Sequence, residues 1–143
     1  MLKGIPKILT PDLLVTLARM GHGDEIVIAD ANFPGEGLNS NIIRCDGSEI
    51  SDLLEAVLQL FPLDNSVETP WFMMKPADLA NYDDQIEQNY RRLLLQSDPE
   101  VGQAEKIERF EFYKRASEAY AIVMTGTAKR FGNIILKKGT ILL

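Results

Sequence analysis

The chain has 143 residues, of which 45% are hydrophobic and 25% are charged, with a formal net charge of −6. These values are typical of one globular domain that buries its core without disulfides, and the single cysteine, Cys45, favours a reducing compartment. The acidic balance argues against nucleic acid as a partner, and the lack of a ~20-residue apolar run or a signal peptide predicts a cytoplasmic protein without a membrane segment.

Helical and strand patterns alternate along the first half of the chain. Residues 10–21 predict a helix that opens with the capping sequence Thr-Pro-Asp and ends at glycine. Residues 26–29 are apolar without alternation, which is typical of a strand covered on both faces. Ser51 is predicted to cap a second helix that Pro62 ends, and residues 71–74 are a short apolar strand candidate.

The second half of the chain continues this alternation. Residues 83–95 and 112–119 carry helical patterns, and residues 120–125 and 133–136 read as strands separated by the turn-rich sequence GTAKRFG. No linker, repeat or low-complexity tract interrupts them. We therefore predict a single α/β domain over residues 1–143, with helices on both sides of a sheet.

Two candidate functional residues flank the first predicted strand. Asp30 follows its carboxyl end, where ligands bind in sheets covered by helices, and His22, the only histidine, precedes it between two glycines. An extended chain advances ~3.3 Å per residue, so the two side chains are expected at opposite ends of the strand. His22 therefore folds back, acts with another element, or belongs to a site between subunits.

Each candidate also has an ordinary structural interpretation. His22 can be a solvated side chain beside a helix C-terminus, and Asp30 in DANFP can bond its own turn. Arg109 is typical of a surface salt-bridge partner, and Asn133 of a turn residue before a strand. One histidine, one cysteine and no carboxylate cluster predict no metal site.

The functional interpretation of the same residues is proton transfer on a neutral, hydroxyl-rich molecule. An imidazole titrates near neutral pH and can both donate and accept a proton. Side chains such as Asp30, Arg109 and Asn133 are of the kinds that hold sugar hydroxyls. The GTAK sequence lacks the spacing of a phosphate-binding loop, so we interpret it as a turn.

The segments MGHGDEIVIADANFP, RFEFYKRASEAYAIVMTG and FGNIILKKG occur in this order. Together they resemble the ribose pyranase and L-fucose mutarotase family (RbsD/FucU), and its fucose branch most closely. The resemblance implies a three-layer α/β/α fold around a mixed sheet. It also implies an isomerase that interconverts the α and β anomers of L-fucose, and of related pyranoses such as D-ribose, with no metal and no cofactor. Homo-oligomers are implied too, as decameric rings with sites at subunit interfaces.

The resemblance assigns roles to particular residues. The acid/base histidine of the family falls on His22, and the positions that line the sugar site are Asp30, Arg109, Tyr120, Phe131, Gly132 and Asn133. Bacterial relatives usually carry tyrosine where this chain has Phe131, so one phenolic hydroxyl is missing. Arg109 favours fucose, because the ribose branch tends to carry histidine there. A non-catalytic sugar-binding or regulatory module and an aldose-ketose isomerase are the alternatives.

Overall fold

A mixed sheet of six strands forms the centre of the computed structural model, which describes residues 1–143. The strands are β1 (Glu25–Ala29), β2 (Ile42–Cys45), β3 (Trp71–Met74), β4 (Glu105–Ile107), β5 (Ala121–Thr125) and β6 (Ile134–Lys137). They lie in the order β2-β5-β1-β6-β3-β4. Only β6 runs antiparallel to its neighbours, and this strand makes the sheet mixed.

Helices cover both faces of the sheet, as the alternating pattern predicted. They are α1 (Pro11–Arg19), α2 (Gly35–Leu38), α3 (Ile50–Leu58), α4 (Gln85–Ser97) and α5 (Arg109–Glu118). The buried side chains form two hydrophobic clusters, one beneath α1, α3 and α4 and the other beneath α2 and α5. Successive β1 residues alternate between them: Ile26 packs in the first cluster and Val27 in the second. The unbroken apolar run is thus a consequence of two covered faces.

The start of α1 follows the prediction, whereas the start of α3 does not. The Leu13 N–H donates to Thr10 Oγ1 at 3.2 Å, so Thr10 is the cap. The α3 helix begins at Ile50, and the prediction that Ser51 caps it was wrong. The Ile50 N–H donates instead to Thr127 Oγ1 at 2.8 Å, a partner that the local sequence does not supply.

The last helix begins three residues earlier than predicted, at Arg109. The Glu108 carboxylate accepts hydrogen bonds from the N–H groups of Phe110 and Glu111, at 2.8 and 3.2 Å. An acidic cap at a helix N-terminus satisfies donors that the helix itself leaves unpaired. This cap makes Arg109 the first helical residue. The α4 helix, Gln85–Ser97, is shifted in the other direction and begins and ends two residues later than predicted.

The sequence patterns did not predict β2, β4 or α2. β2 and β4 are the outer strands of the sheet and have one paired neighbour each. None of the three β4 residues is fully buried, and only Ile107 packs against a hydrophobic cluster, so this strand carries little apolar signal. The α2 helix has four residues, which is about one turn, too short to show a helical period. No helix in the structure has both the length and the apolar character needed to cross a membrane.

The direction of the strands decides which loops meet. β1, β2 and β5 are parallel, so their carboxyl ends share one edge of the sheet, and antiparallel β6 begins at that edge. We call this the carboxyl edge. The loop after β1 and the 126–133 segment between β5 and β6 both lie at this edge. The turn that precedes β1 lies at the opposite edge, which we call the amino edge.

Candidate functional site

A cleft of about 300 Å³ opens at the carboxyl edge. Four of the residues predicted to bind substrate line it: Asp30, Arg109, Phe131 and Asn133. They come from the loop after β1, the first turn of α5 and the segment that leads into β6. One chain thus brings together polar and aromatic side chains that are far apart in sequence.

Asp30 is a buried carboxyl group of this cleft, with 8% of the residue exposed. Its Oδ1 accepts from the Asn32 N–H at 2.9 Å, and its own N–H donates to Asn133 Oδ1 at 2.7 Å. Burial raises the pKa of Asp30 above its ordinary 3.8, and hydrogen bonds involving Asn32, Asn133 and Phe33 offset only part of the rise. Asp30 therefore bonds its own turn and also presents a carboxyl group to the cleft.

Arg109 lies at the mouth of the cleft without a carboxylate partner. It takes part in none of the ion pairs of the chain, so its interpretation as a surface salt-bridge residue was wrong. Its Nε donates to Tyr113 Oη at 3.1 Å, and the guanidinium lies 5.4 Å from the centre of the Tyr113 ring. Because a guanidinium has five N–H donors, most of them remain for a ligand.

The segment 131–133 is held in an uncommon backbone conformation. Phe131 has φ of 59°, in the left-handed region that non-glycine residues seldom occupy, and its ring packs edge-on against Tyr82. The Gly132 carbonyl accepts from Tyr90 Oη at 2.7 Å, and burial raises the pKa of Tyr90 far above its usual range, so this hydroxyl stays a donor. Asn133 is 4% exposed, directly before β6. Contacts with Tyr82, Tyr90 and Asp30 thus hold the aromatic ring and the amide at the cleft.

His22 does not lie in this cleft, because it precedes β1 at the amino edge. The strand between His22 and Asp30 spans about 13 Å at ~3.3 Å per residue. Gly23 adopts φ of 87°, and its N–H donates to the Lys138 carbonyl at 2.8 Å, which makes the turn tight. The imidazole is about half exposed, with Nε2 at 3.2 Å from Asp64 Oδ1. His22 is therefore paired with a carboxylate as well as solvated.

No pattern in the sequence singles out Asp64, which is 2% exposed. Burial raises its pKa, but hydrogen bonds from Ser66 and His22 outweigh burial and lower the pKa below the ordinary 3.8. Its Oδ1 accepts from Ser66 Oγ at 2.6 Å and from the Ser66 N–H at 3.0 Å. The sequence Asp-Asn-Ser indicates such a turn, yet it gives no sign of a partner 42 positions away.

Tyr120 lies at the amino edge with His22, outside the cleft. Its N–H donates to the Glu25 carbonyl at 2.8 Å. Its side chain lines a second cavity, of about 490 Å³, together with Gly23 and Arg115. The predicted site residues therefore divide into two sets within one chain, one at each edge of the sheet. No three histidine, cysteine, aspartate or glutamate side chains lie together as metal ligands would.

Known proteins resemble this chain over nearly its whole length. Residues 3–141 match the family model described as the RbsD / FucU transport protein family. The fucose mutarotase of Mus musculus is 53% identical over 146 aligned residues, which cover 98% of this chain and 95% of the relative. The L-fucose mutarotase of Haemophilus influenzae (strain 86-028NP) is 48% identical over 139 aligned residues, which cover 97% of this chain and 96% of the relative.

Solved structures give the same result. The crystal structure of the fucose mutarotase from Streptococcus pneumoniae in complex with L-fucose matches with a TM-score of 0.93 at 42% identity. The match covers 99% of this chain and 100% of that one. Bacillus subtilis RbsD complexed with D-ribose is 22% identical and has a TM-score of 0.72 over 99% of this chain, so it shares the fold. The three-layer arrangement around a mixed sheet is therefore confirmed.

Proposed function

The chain belongs to the RbsD / FucU transport protein family, and from that premise we propose that it is an isomerase interconverting the α and β anomers of L-fucose. The observation that carries the proposal is the carboxyl-edge cleft, where Asp30, Arg109 and Asn133 surround an aromatic ring. The fucose mutarotase of Streptococcus pneumoniae, crystallised with L-fucose, supports the choice of sugar.

The chemistry of the cleft suits a neutral pyranose. A carboxyl, a guanidinium and a buried amide supply both acceptors and donors for hydroxyl groups. The Phe131 ring offers an apolar surface to a C–H face of the sugar, with no hydroxyl of its own. The left-handed backbone of Phe131 is followed by Gly132, whose carbonyl accepts a hydrogen bond from the Tyr90 hydroxyl. The site is thus organised before the sugar arrives.

The reaction requires only proton movements. The anomeric hydroxyl loses a proton, the bond from C1 to the ring oxygen breaks, and the ring oxygen gains a proton. The open-chain aldehyde then rotates about one bond and closes on its other face. We assign His22 as the acid/base group, with water or a neighbouring side chain as its counterpart. Such a group contributes about 10²- to 10⁴-fold to the rate.

His22 reaches the sugar in this proposal from a second copy of the chain. The separation of His22 and Tyr120 from the cleft supports a site at a subunit boundary, where the amino edge of one copy faces the carboxyl edge of the next. Closed rings form when such head-to-tail contacts repeat. The proposed assembly is the decameric ring that the family resemblance implies. The cytoplasmic location stays a prediction.

The first test replaces the imidazole. His22→Ala is expected to lower the catalysed anomer exchange of L-fucose by about 10²-fold or more, measured by saturation-transfer NMR. Circular dichroism checks that the fold survives. Gln59→Ala, on the surface after α3, is the matched control and keeps full exchange. Full exchange by His22→Ala would remove the histidine from the mechanism.

Asp30→Asn is expected to weaken sugar binding, and an unchanged affinity excludes Asp30 from the site.

The same NMR experiment separates the alternatives. A non-catalytic sugar-binding or regulatory module binds L-fucose without accelerating exchange, and an aldose-ketose isomerase produces new ketose signals. Parallel measurements on L-fucose and D-ribose test the sugar preference. We expect faster exchange of L-fucose, because Arg109 occupies the position where the ribose branch tends to carry histidine.

A further inference from the structure

Phe110 is an exposed aromatic residue beside the carboxyl-edge cleft. It is 68% exposed and lies in the first turn of α5, directly after Arg109. Its ring meets the Tyr113 ring edge-on with 6.2 Å between the ring centres, and the Arg109 guanidinium lies 5.5 Å from its centre. Arg109 and Tyr113 both line the cleft. An uncovered aromatic ring therefore stands next to the opening of the candidate site.

An apolar cavity of about 520 Å³ lies at the amino edge of the same chain, where β6 ends. It is formed by α1, the segment after α3 and the segment after β6. The apolar residues that line it include Leu14, Leu17, Ala18, Leu60, Pro62 and Ile141. A cavity of about 150 Å³ already holds benzene, so a phenyl ring can enter this one.

The apolar cavity adjoins the turn that carries His22. Lys138 lines the cavity, and its backbone bonds both sides of this turn. The Gly23 N–H donates to the Lys138 carbonyl at 2.8 Å, and the Lys138 N–H donates to the Asp24 carbonyl at 2.9 Å. A group seated in the cavity therefore lies beside the His22 turn.

The charges at the two edges are complementary. Three cations line the cleft without taking part in an ion pair: Arg109, Lys129 and Arg130. Carboxylates outnumber cations along the second cavity, at the amino edge, and Asp24 and Glu118 there take part in no ion pair. Opposite charges on facing surfaces favour one orientation of contact, in which the basic cleft of one copy faces the acidic edge of another.

We propose that Phe110 of one copy inserts into the apolar cavity of the next copy and thereby brings the second copy's His22 to the cleft. The proposal rests on the proposed function, which requires a second copy to supply the histidine. It names the side chain and the cavity that join the copies. Because these lie at opposite edges, every chain keeps one of them free for a further copy, and the contact is head-to-tail.

A buried aromatic anchor explains why such a contact is stable. In a single chain the Phe110 ring faces water, and so does much of the apolar surface around the cavity, including Leu60 and Ile141. Insertion removes both surfaces from water at once. Aromatic side chains seated in pockets of the partner commonly dominate the affinity of protein–protein contacts.

The first test maps the contact and needs no sugar. Phe110→p-benzoylphenylalanine places a photoreactive aromatic ring at the same position. After irradiation we expect a covalent product of two chains, whose cross-link mass spectrometry locates in residues 14–18, 60–62 or 138–141. Cross-links confined to one chain, or lying only in other segments, overturn the proposal. The matched control is Leu79→p-benzoylphenylalanine, at a residue 78% exposed before α4, and we expect no cross-link from it to these segments.

The second test removes the ring. Phe110→Ala is expected to weaken association between copies by about 30-fold or more, as loss of a dominant interface residue does. Light scattering over a dilution series measures association, and circular dichroism checks the fold. Exchange of L-fucose in the same series is expected to fall as the copies separate. Leu79→Ala is the control and keeps the association and exchange of the parent chain. Unchanged association of folded Phe110→Ala overturns the proposal.

The outcomes separate this contact from the proposed function. A parent chain that stays a single copy throughout the dilution series overturns the contact. If the copies join through Phe110 and the cavity but L-fucose shows no catalysed exchange, the proposed function fails and the contact stands. If Phe110→Ala does not fold, the position of the cross-link decides.

Discussion

Asp30 and Asp64 are two buried carboxyl groups whose surroundings shift the pKa in opposite directions. Burial dominates at Asp30 and raises its pKa, despite hydrogen bonds from its own turn and from Asn133. At Asp64 the hydrogen bonds of Ser66 and His22 outweigh burial and lower the pKa. The difference lies in the donors aimed at each group. Asp30 therefore costs the fold stability when it ionises, and Asp64 contributes stability when it does.

This contrast predicts opposite pH dependences. The cost of Asp30 is absent below 3.8 and complete above its raised native pKa, so Asp30→Asn gains stability over the parent chain as pH rises. The contribution of Asp64 is present above 3.8 and is lost as pH falls through its lowered native pKa, so Asp64→Asn loses stability relative to the parent chain as pH rises toward 3.8.

The measurement is urea unfolding of the three chains between about pH 2 and about pH 7. Asp98→Asn serves as the control, because the Asp98 side chain only accepts from the Glu100 N–H. For each variant, the free energy of unfolding is compared with that of the parent chain. If this difference changes with pH in the same direction for both variants, or does not change with pH, the assigned environments are contradicted.

The segment between β5 and β6 carries one wall of the cleft and is packed against the end of β2. The Gly126 N–H donates to the Ser48 carbonyl at 2.9 Å, and a Cβ at Gly126 would overlap the backbone carbonyl of Asp46. The Thr127 hydroxyl donates to Glu49 at 2.6 Å and accepts from the Ile50 N–H. The close approach at Gly126 thus links the cleft segment to the start of α3.

Gly126→Ala is predicted to lower the free energy of unfolding by about 1–3 kcal/mol, because backbone atoms must move to admit the methyl group. The expected displacement of the segment also weakens L-fucose binding. Urea unfolding and NMR titration measure the two effects.

Gly37→Ala is the matched control for this substitution. Gly37 lies in α2 with open space around it, so alanine there is expected to be neutral or to add about 0.5–1 kcal/mol. Equal effects of the two substitutions would contradict the packing described at Gly126.

The whole molecule presents its candidate residues at two opposite edges. The cleft with Asp30 and Arg109 lies at the carboxyl edge, and His22 with Tyr120 lies at the amino edge. Large apolar side chains are also exposed near both termini, among them Leu2, Ile141 and Leu142. Exposed apolar groups of this kind are often covered by other chains. Both features favour a homo-oligomer in which neighbouring copies complete each site.

Mixing two defective chains tests this arrangement. We predict that His22→Ala and Arg109→Ala each show little exchange alone, whereas a co-refolded equal mixture recovers about a quarter of parent activity. At random head-to-tail boundaries, about one in four joins an intact histidine to an intact cleft. Exchange is measured on L-fucose by saturation transfer.

The controls for this experiment are the two variants refolded separately and then combined without exchange of subunits. Light scattering establishes that each preparation assembles. A mixture no more active than its components would show that the histidine and the cleft of one chain act together.

The sequence by itself determined the features that depend on neighbouring residues. The apolar run of β1, the Thr10 cap of α1 and the helical periods of α3 and α4 predicted an α/β domain, and that class is confirmed. The same signals placed Asp30 at a strand end. The residue roles taken from the family resemblance remain predictions.

Only the tertiary structure decided the rest, because the causes lie in distant parts of the chain. Outer strands such as β4 are defined by the strand they join rather than by their own hydropathy. The start of α3 depends on Thr127, and the carboxylate that the His22 ring contacts belongs to Asp64, 42 positions away. No local pattern encodes such contacts, because the first joins the segments that follow parallel β2 and β5, and the second joins two turns that are both bonded to the end of β6.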